Sequence, residues 1–244
     1  RRMLTLMRAK TEAARALCLT TGVLTDMAHH GDSAQARAAA GARQELLTPI
    51  AKAWSTDIGV EVASLGVQVH GGMGYIEETG AAQHYRDARI APIYEGTNGI
   101  QAIDLVGRKL GLLDGAVMHD LCGDIKNSAR DLERIPALAG VAAALQTGLG
   151  ALESATAWIT ANRGPRALAG ATRYLQLAGE VVGGWLLAKQ AALVVDAPDE
   201  WSASRLPLAR FYASQVLSGA PGLAKGVMEG AGDLENLRAD MLRA

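Results

Sequence analysis

The chain has 244 residues, of which 49% are hydrophobic, 20% charged and 4% aromatic, and its 24 basic residues nearly balance its 25 acidic ones. This composition supplies a sizeable core and argues against intrinsic disorder, and the near-zero net charge gives no basic surface for nucleic acid. The two cysteines, Cys18 and Cys122, are too few for a disulfide framework, so we expect a reducing, cytoplasmic compartment.

Helical periodicity runs from end to end of the chain and predicts an all-α fold. The Ala- and Gly-rich segment 31–43 lacks a firm apolar stripe and is expected to hold a connection after the first helix. Thr48 and Pro49 predict the start of the second helix, because threonine caps helices and proline fits the first helical position. We expect that helix to end at the glycine pair Gly71-Gly72.

Shorter helices are predicted over residues 81–88 and from Gly96-Thr97 onward. A glycine-flanked boundary follows at Gly111–Gly115. Four more helices are predicted beyond that boundary, and the last of them lies between residues 204 and 218.

This boundary divides the chain into two predicted helical domains, residues 1–111 and 112–244. The longest uncharged stretch, Ile135–Leu152, is just long enough for a membrane span, but it contains Pro136, two polar residues and three glycines. We therefore expect a buried helix in this stretch and no membrane span.

Chemistry-bearing residues concentrate in residues 68–101, in connections between predicted helices, where binding and catalytic groups are common. Glu95 stands beside the start of a helix, whose free N–H groups and positive dipole end favour an anionic ligand. Each feature also has a plain structural explanation, because the glycine turn can end a helix and Arg86, Asp87 and Arg89 can form surface ion pairs. No metal site is expected, since the histidines have no cysteine or carboxylate at ligand spacing.

Taken together, these residues form an ordered string that resembles the C-terminal helical domain of the acyl-CoA dehydrogenase family. The string reads Gln68-x-x-Gly71-Gly72-x-Gly74-Tyr75, then Arg86-Asp87, then Ile93-Tyr94-Glu95-Gly96-Thr97-x-x-Ile100-Gln101. The resemblance covers residues 1–110, and its most specific part is 68–101. Residues from 112 onward resemble the added helical region of the 3-methylthiopropanoyl-CoA dehydrogenase-like subfamily.

The resemblance implies a four-helix-bundle domain, with its first helix truncated here, that builds the core of a homodimer or homotetramer. It implies an acyl-CoA substrate that is oxidised to the trans-2-enoyl-CoA, FAD as the cofactor, and electron-transfer flavoprotein as the electron acceptor. Members of the family carry further domains before this one. We therefore expect this chain to be the C-terminal portion of a larger enzyme, and to be inactive by itself.

The resemblance also assigns roles to individual residues. Glu95 matches the base that removes the α-proton of the thioester, and Tyr94 and Gly96 match the substrate pocket. The residues that match the flavin-binding segments are Gln68, Val69, His70, Gly71, Gly72, Thr97, Asn98 and Gly99. Many relatives have Thr-Ser-Gln after the Glu-Gly pair. This chain departs from them at Asn98 and Gly99, so the flavin-contacting glutamine is missing at that position.

Two other interpretations stay open at this point. An acyl-CoA oxidase shares the scaffold and the base but lets oxygen reach the reduced flavin, and hydrogen peroxide formed under air would identify it. A non-catalytic helical scaffold or oligomerisation module would keep the string for packing alone, and would show neither flavin absorbance nor a response to acyl-CoA. Glu95 speaks against the scaffold, because packing alone requires no carboxylate at that position.

Overall fold

The computed structural model describes residues 1–197, 199–200 and 202–242, and this part of the chain is helical without a β-strand. Its α-helices are, in chain order, α1 Arg2–His30, α2 Ala34–Val69, α3 Gly72–Tyr75, α4 Ala81–Ala88, α5 Asn98–Gly107, α6 Ala116–Glu133, α7 Ala139–Ala161, α8 Pro165–Ala169, α9 Ala171–Val194, α10 Arg205–Gln215, α11 Ala220–Glu229 and α12 Ala231–Asn236. Short 3₁₀ turns are Glu77–Thr79, Lys109–Gly115, Pro136–Leu138, Leu217–Gly219 and Ala239–Leu242. The predicted all-α fold class is confirmed.

Helices α1 and α2 pack extensively against each other and are joined by a short, well-fixed turn. Ser33 Oγ accepts a hydrogen bond from Ala36 N at 3.0 Å, and Arg37 Nη1 donates to Gly31 O at 2.7 Å. The predicted connection does lie within residues 31–43, but it is only three residues long, since α1 ends at His30 and α2 begins at Ala34. Alanine has the highest intrinsic helix propensity, so this stretch is helical without a firm apolar stripe.

Pro49 lies inside α2 rather than at its start, so the predicted beginning of the second helix was also wrong. Pro49 is buried, and the Thr48 hydroxyl donates to Gln44 O at 2.8 Å instead of capping a helix. The end of α2 is at Val69, directly before the predicted glycine turn.

Helices α4 and α5 confirm the predictions of a helix over 81–88 and of one that opens at Thr97. Helix α11 was not predicted, because Pro221 and two glycines make its sequence a poor helix former. In the structure Pro221 lies in the first turn, where a missing N–H is harmless, and Ala224 and Val227 are buried where α11 packs on α7 and α9. Tertiary packing therefore stabilises this helix.

Helix α9 is the central element of the core and packs against α1, α2, α5, α7, α10 and α11. Trp54 of α2 lies directly over Gly179 and Gly183 of α9. A Cβ at Gly179 would collide with the indole, and one at Gly183 would lie 2.7 Å from the indole Cη2. One continuous hydrophobic core therefore crosses the junction between the two predicted domains, and their boundary at residue 111 stays a prediction.

Among the described residues, α9 is also the one helix whose length and apolar composition would allow it to cross a membrane. In the structure, 72% of its most apolar window is buried inside the fold, which is the position of a core helix. The stretch Ile135–Leu152, which drew attention in the sequence, lies in a 3₁₀ turn and in α7, where Val141, Leu145 and Leu149 are buried.

A buried ion pair ties the C-terminal helices to the first one. Arg205 Nη1 of α10 lies 3.0 Å from Glu12 Oε2 of α1, and both residues are less than 10% exposed. Burial opposes the ionisation of Glu12, but the hydrogen bond and charge of Arg205, helped by Arg8 and Arg15, outweigh it and hold the Glu12 pKa below its usual value. Arg205 also donates to Gln190 Oε1 at 3.2 Å.

Candidate active site

Residues 89–97, here called the Glu95 loop, connect α4 to α5 and carry the predicted base. Pro92 O accepts a hydrogen bond from Asn98 N at 2.9 Å, which closes the loop on itself. Glu95 has a φ of +55° and Gly96 a φ of +85°, so two successive residues adopt the left-handed region that side chains disfavour. The backbone at Glu95 is therefore held in a conformation that glutamate rarely adopts unaided.

The predicted base and both of its neighbours, Tyr94 and Gly96, are exposed in the single chain, where Tyr94 keeps 52% of its surface accessible. Thr97 follows them and caps α5, since its Oγ1 accepts a hydrogen bond from Ile100 N at 3.3 Å. The positive end of the α5 dipole therefore lies directly after the Glu95 loop and favours a negatively charged group in this region.

The Lys52 side chain fastens the Glu95 loop to α2, and the Asn98 side chain fastens the adjoining start of α5 to the same helix. Asn98 Nδ2 donates to Asp57 Oδ1 at 2.8 Å. Lys52 Nζ donates to Ala91 O at 3.2 Å and to Gly96 O at 2.8 Å. It also donates to Asn98 Oδ1 at 3.0 Å, so each of the three ammonium hydrogens of Lys52 has an acceptor.

A groove of about 730 Å³ lies between α2, α4 and the start of α5. Its lining residues are Asp57, Val60, Glu61, Ser64, Leu65, Tyr85, Arg89, Pro92, Ile93, Thr97, Asn98 and Gly99. Three of the predicted cofactor residues, the cap and first two residues of α5, therefore share one cavity. Glu95 and its two neighbours adjoin this groove in sequence and do not line it. Burial raises the pKa of Asp57, against the hydrogen bond from Asn98 and the charges of Lys52 and Arg89.

The other predicted cofactor segment, Gln68–Gly72, lies at the C-terminal end of α2, outside the groove. His70 ends the helix, and its Nδ1 lies 2.8 Å from the carbonyl oxygen one turn earlier. Gly71 has a φ of +59°, and a Cβ at Gly74 would collide with Val67 O, so both positions require glycine. The structure thus confirms the glycine turn as a helix end. It does not bring this turn together with the groove residues within one chain.

The interpretation of the arginines as surface ion pairs is confirmed for Arg86, whose guanidinium donates two hydrogen bonds to Glu77, at 2.8 and 2.9 Å. Both side chains are exposed, and the Arg86 hydrogen bond holds the pKa of Glu77 below its usual value. The partner is Glu77 rather than the adjacent Asp87. Arg89 instead contributes a cation to the groove.

Sequence reasoning missed Lys52 and Asp57, which are interspersed with core residues of α2. Ala53, Trp54 and Ile58 are buried beside them, and charged residues at the intervening positions of a packed helix are ordinary. The sequence therefore contains no signal that sets Lys52 and Asp57 apart. Their contacts could not be predicted either, because their partners lie far along the chain.

Two family descriptions match the sequence. "Acyl-CoA dehydrogenase, C-terminal domain" matches residues 1–110, and "Acetyl-CoA dehydrogenase C-terminal like" matches residues 118–238. Together the two matches cover nearly the whole chain. The chain belongs to the acyl-CoA dehydrogenase family and corresponds to its C-terminal helical region.

The relatives sharpen this assignment. The 3-methylmercaptopropionyl-CoA dehydrogenase of Ruegeria pomeroyi is 44% identical over 89% of this chain and 38% of its own length, which confirms the predicted subfamily. A butyryl-CoA dehydrogenase of Syntrophomonas wolfei is 30% identical over 89% of this chain and 36% of its own length. The crystal structure of an acyl-CoA dehydrogenase complexed with FAD from Bacillus anthracis shares the fold, with a TM-score of 0.74 at 19% identity over 99% of this chain and 43% of that one. The chain thus spans less than half the length of each of these proteins.

Proposed function

We propose that this chain is part of an FAD-dependent acyl-CoA dehydrogenase in which Glu95 removes the α-proton of an acyl-CoA thioester. The observation that carries the proposal is the Glu95 loop, which holds an exposed carboxylate-bearing residue at a φ of +55°, two residues before a helix N-terminus that lines a groove. The similarity to 3-methylmercaptopropionyl-CoA and butyryl-CoA dehydrogenases supports the acyl-CoA class of substrate.

FAD fits the groups beside this loop. Thr97, Asn98 and Gly99 stand at a helix N-terminus, where the dipole favours the charge of a diphosphate, and Arg89 lies in the same groove. The groove also contains the carboxyl groups of Asp57 and Glu61, of which Glu61 is paired with Lys10. When bound, FAD supplies the acceptor for the hydride that leaves the substrate β-carbon. The glycine turn Gln68–Gly72 is exposed on a separate surface, which supports a site completed by a second copy in a homo-oligomer.

The chemistry explains why a carboxylate is needed. The α-C–H of a thioester is a weak acid, so its base must lie within hydrogen-bond reach of the proton. Removing water from around a carboxylate makes it a stronger base, and the acyl chain of a bound substrate would cover the exposed Glu95. Tyr94 and Gly96, the proposed substrate-pocket residues, flank the base in sequence and are exposed as well.

Replacing Glu95 by glutamine in the full-length, flavin-loaded enzyme tests this role, because glutamine keeps the shape and removes the basic oxygen. We expect the flavin content to stay unchanged. We expect the bleaching of flavin absorbance by 3-methylmercaptopropionyl-CoA or butyryl-CoA to slow by about 10³-fold, within the range that a general base contributes. Anaerobic stopped-flow spectrophotometry measures the rate.

Glu78→Gln is the matched control, because Glu78 is also an exposed glutamate in the connection between α2 and α5. We expect this variant to bleach at the wild-type rate. A Glu95→Gln enzyme that bleaches as fast as the wild type contradicts the assignment of the base. A wild-type enzyme that binds no flavin contradicts the proposed function as a whole.

A further inference from the structure

We propose that Lys52 is a positioning residue of the active site, which fixes the backbone on both sides of Glu95 and so places the carboxylate for catalysis. The inference rests on the proposed function, because that function assigns the base to Glu95. Lys52 itself lies on α2, outside the groove lining and far from the base in sequence.

Three hydrogen bonds run from the Lys52 ammonium to the region of the Glu95 loop. Two of the acceptors are backbone carbonyl oxygens, of Ala91 at 3.2 Å and of Gly96 at 2.8 Å. The third is Asn98 Oδ1, at 3.0 Å, on the first residue of α5. The two carbonyl groups precede and follow the base in sequence, so one cation holds the loop from both sides.

A direct ion pair does not explain where Lys52 lies, although its charge opposes the rise in the Asp57 pKa. Two other half-buried lysines have carboxylate partners, since Lys10 pairs with Glu61 at 2.6 Å and Lys109 pairs with Glu45 at 3.0 Å. Within the described part of the chain, Lys52 forms no such ion pair and directs all three donors to neutral oxygens. Hydrogen bonds from a charged donor are stronger than those between neutral groups, which suits a contact that holds backbone in place.

The loop needs such a hold because its conformation is intrinsically unfavourable. Glu95 and Gly96 are both left-handed, and a glutamate released from outside constraints moves towards the regions of φ and ψ that side chains prefer. That movement would displace the carboxylate from the substrate carbon. A misplacement of about 1 Å at a reacting group can slow a reaction by about 100-fold.

Lys52→Met in the full-length enzyme tests the inference, because methionine keeps most of the side-chain length and removes every donor. We expect flavin bleaching by 3-methylmercaptopropionyl-CoA to slow between about 10-fold and 100-fold. Flavin content and affinity for the acyl-CoA should stay close to those of the wild type, since a loss of rate without a loss of affinity indicates a misplaced catalytic group. Lys109→Met, which removes a half-buried lysine that contacts Glu45 and not the loop, should behave as the wild type.

Hydrogen–deuterium exchange gives a second readout that does not depend on catalysis. The amide hydrogens of Ile93, Tyr94 and Asn98, which donate to carbonyl groups of the loop, should exchange about tenfold faster in Lys52→Met than in the wild type, because the loop opens more readily, whereas those of α9 should be unchanged. Lys52→Arg keeps the charge and can donate to the same carbonyl groups. We expect it to recover part of both the protection and the rate.

Wild-type exchange of the Ile93, Tyr94 and Asn98 amides in Lys52→Met, or wild-type flavin bleaching, overturns the inference. If the wild-type enzyme itself does not bleach with acyl-CoA, the proposed function fails, and the exchange measurement still decides whether Lys52 holds the loop. If Lys52→Met does not fold, Lys52→Gln is measured in the same way, because it removes the charge and shortens the reach of the donors.

Discussion

Helix α9 and the Glu95 loop differ in how far this chain encloses them. Sixteen of the 24 residues of α9 are buried, and the helices that surround it all come from the same chain. Tyr94, Glu95 and Gly96 are exposed, although Lys52 and Asn98 fasten the backbone around them. Rigidity and enclosure are therefore separate properties: the core has both, and the candidate site has a fixed backbone with an open side.

Of the substitutions considered for the core, Gly179→Ala should destabilise the protein most, because it would disrupt the close packing of α9 against α2. An added Cβ would collide with the Trp54 indole, which is only 2% exposed and has no room to move aside. We expect the free energy of unfolding to fall by about 4 kcal/mol, at the severe end of overpacking effects. Urea denaturation measures the change.

Gly150→Ala is the matched control for that substitution. Gly150 is exposed in α7. A Cβ at this position would have no neighbouring atom within 4 Å apart from the nearby backbone of α7 itself. Alanine at such a position should stabilise the protein by about 0.5–1 kcal/mol. If Gly179→Ala changed the stability as little as Gly150→Ala, Trp54 of α2 would not be in close contact with α9.

Arg205→Met tests how much the enclosed core depends on the buried cation that links α10 to α1. Within the described part of the chain, the exposed Arg8 and Arg15 would remain as ion-pair partners of Glu12, and a buried carboxylate that loses its main partner destabilises the fold. We expect a loss of about 3 kcal/mol at pH 7. Chemical denaturation of the two proteins side by side provides the measurement.

The same pair predicts a pH dependence. The Glu12 pKa is lowered in the folded state, so the stability that Arg205 confers is present above the unfolded value of 4.5 and is lost as the pH falls through the folded value. The difference between wild type and Arg205→Met should therefore shrink below pH 4.5. Arg86→Met, which breaks the exposed pair with Glu77, should show a much smaller change of the same sign, because solvent screens that pair. A difference that does not depend on pH would refute the ion pair as its cause.

Glu180→Gln should have the smallest effect and the opposite sign. Burial in α9 raises the pKa of Glu180, and Glu61 adds to this, against the hydrogen bond from Gln176 and the charge of Lys10. A raised folded-state pKa means that stability is highest below 4.5 and falls as the pH rises through the folded value. Glutamine avoids this loss, so the variant should be more stable than the wild type at pH 7, within about 1 kcal/mol.

The gain should disappear near pH 4, where the wild-type carboxyl is protonated. Glu229→Gln is the control, because Glu229 is an exposed partner of Lys225 at the end of α11. A Glu180→Gln protein that is less stable than the wild type at pH 7 would show that the ionised carboxylate is better compensated in α9 than its burial indicates.

Sequence patterns predicted those helices whose ends carry their own signals. Helix α4 and the Thr97 cap of α5 were placed correctly because glycine and threonine mark them locally. The start of α2 was misplaced because Thr48 and Pro49 resemble a helix start, although the helix begins earlier, at Ala34. Helix α11 was missed because its packing on α7 and α9, and not its composition, stabilises it.

In the candidate site too, features with local sequence signals were predicted and features that depend on tertiary contacts were not. The motif predicted that Glu95 and the glycine turn lie in connections between helices, and the structure places both there. It could not predict the contacts of Lys52 with the loop, because those hydrogen bonds join residues that only the fold brings together. The left-handed backbone of Glu95 was equally unpredictable, since glutamate is not a residue that signals such a conformation.

The contact of Trp54 with Gly179 and Gly183 couples the evolution of the two halves of the chain. A residue larger than glycine at position 179 can be accepted only if position 54 shrinks, and shrinking position 54 first leaves a void where the indole was. Whichever position changes first, the protein with a single substitution is destabilised. Descendants of this protein should therefore inherit these three positions as a matched set, and a chimera that exchanges only one half with a distant relative should inherit a mismatch.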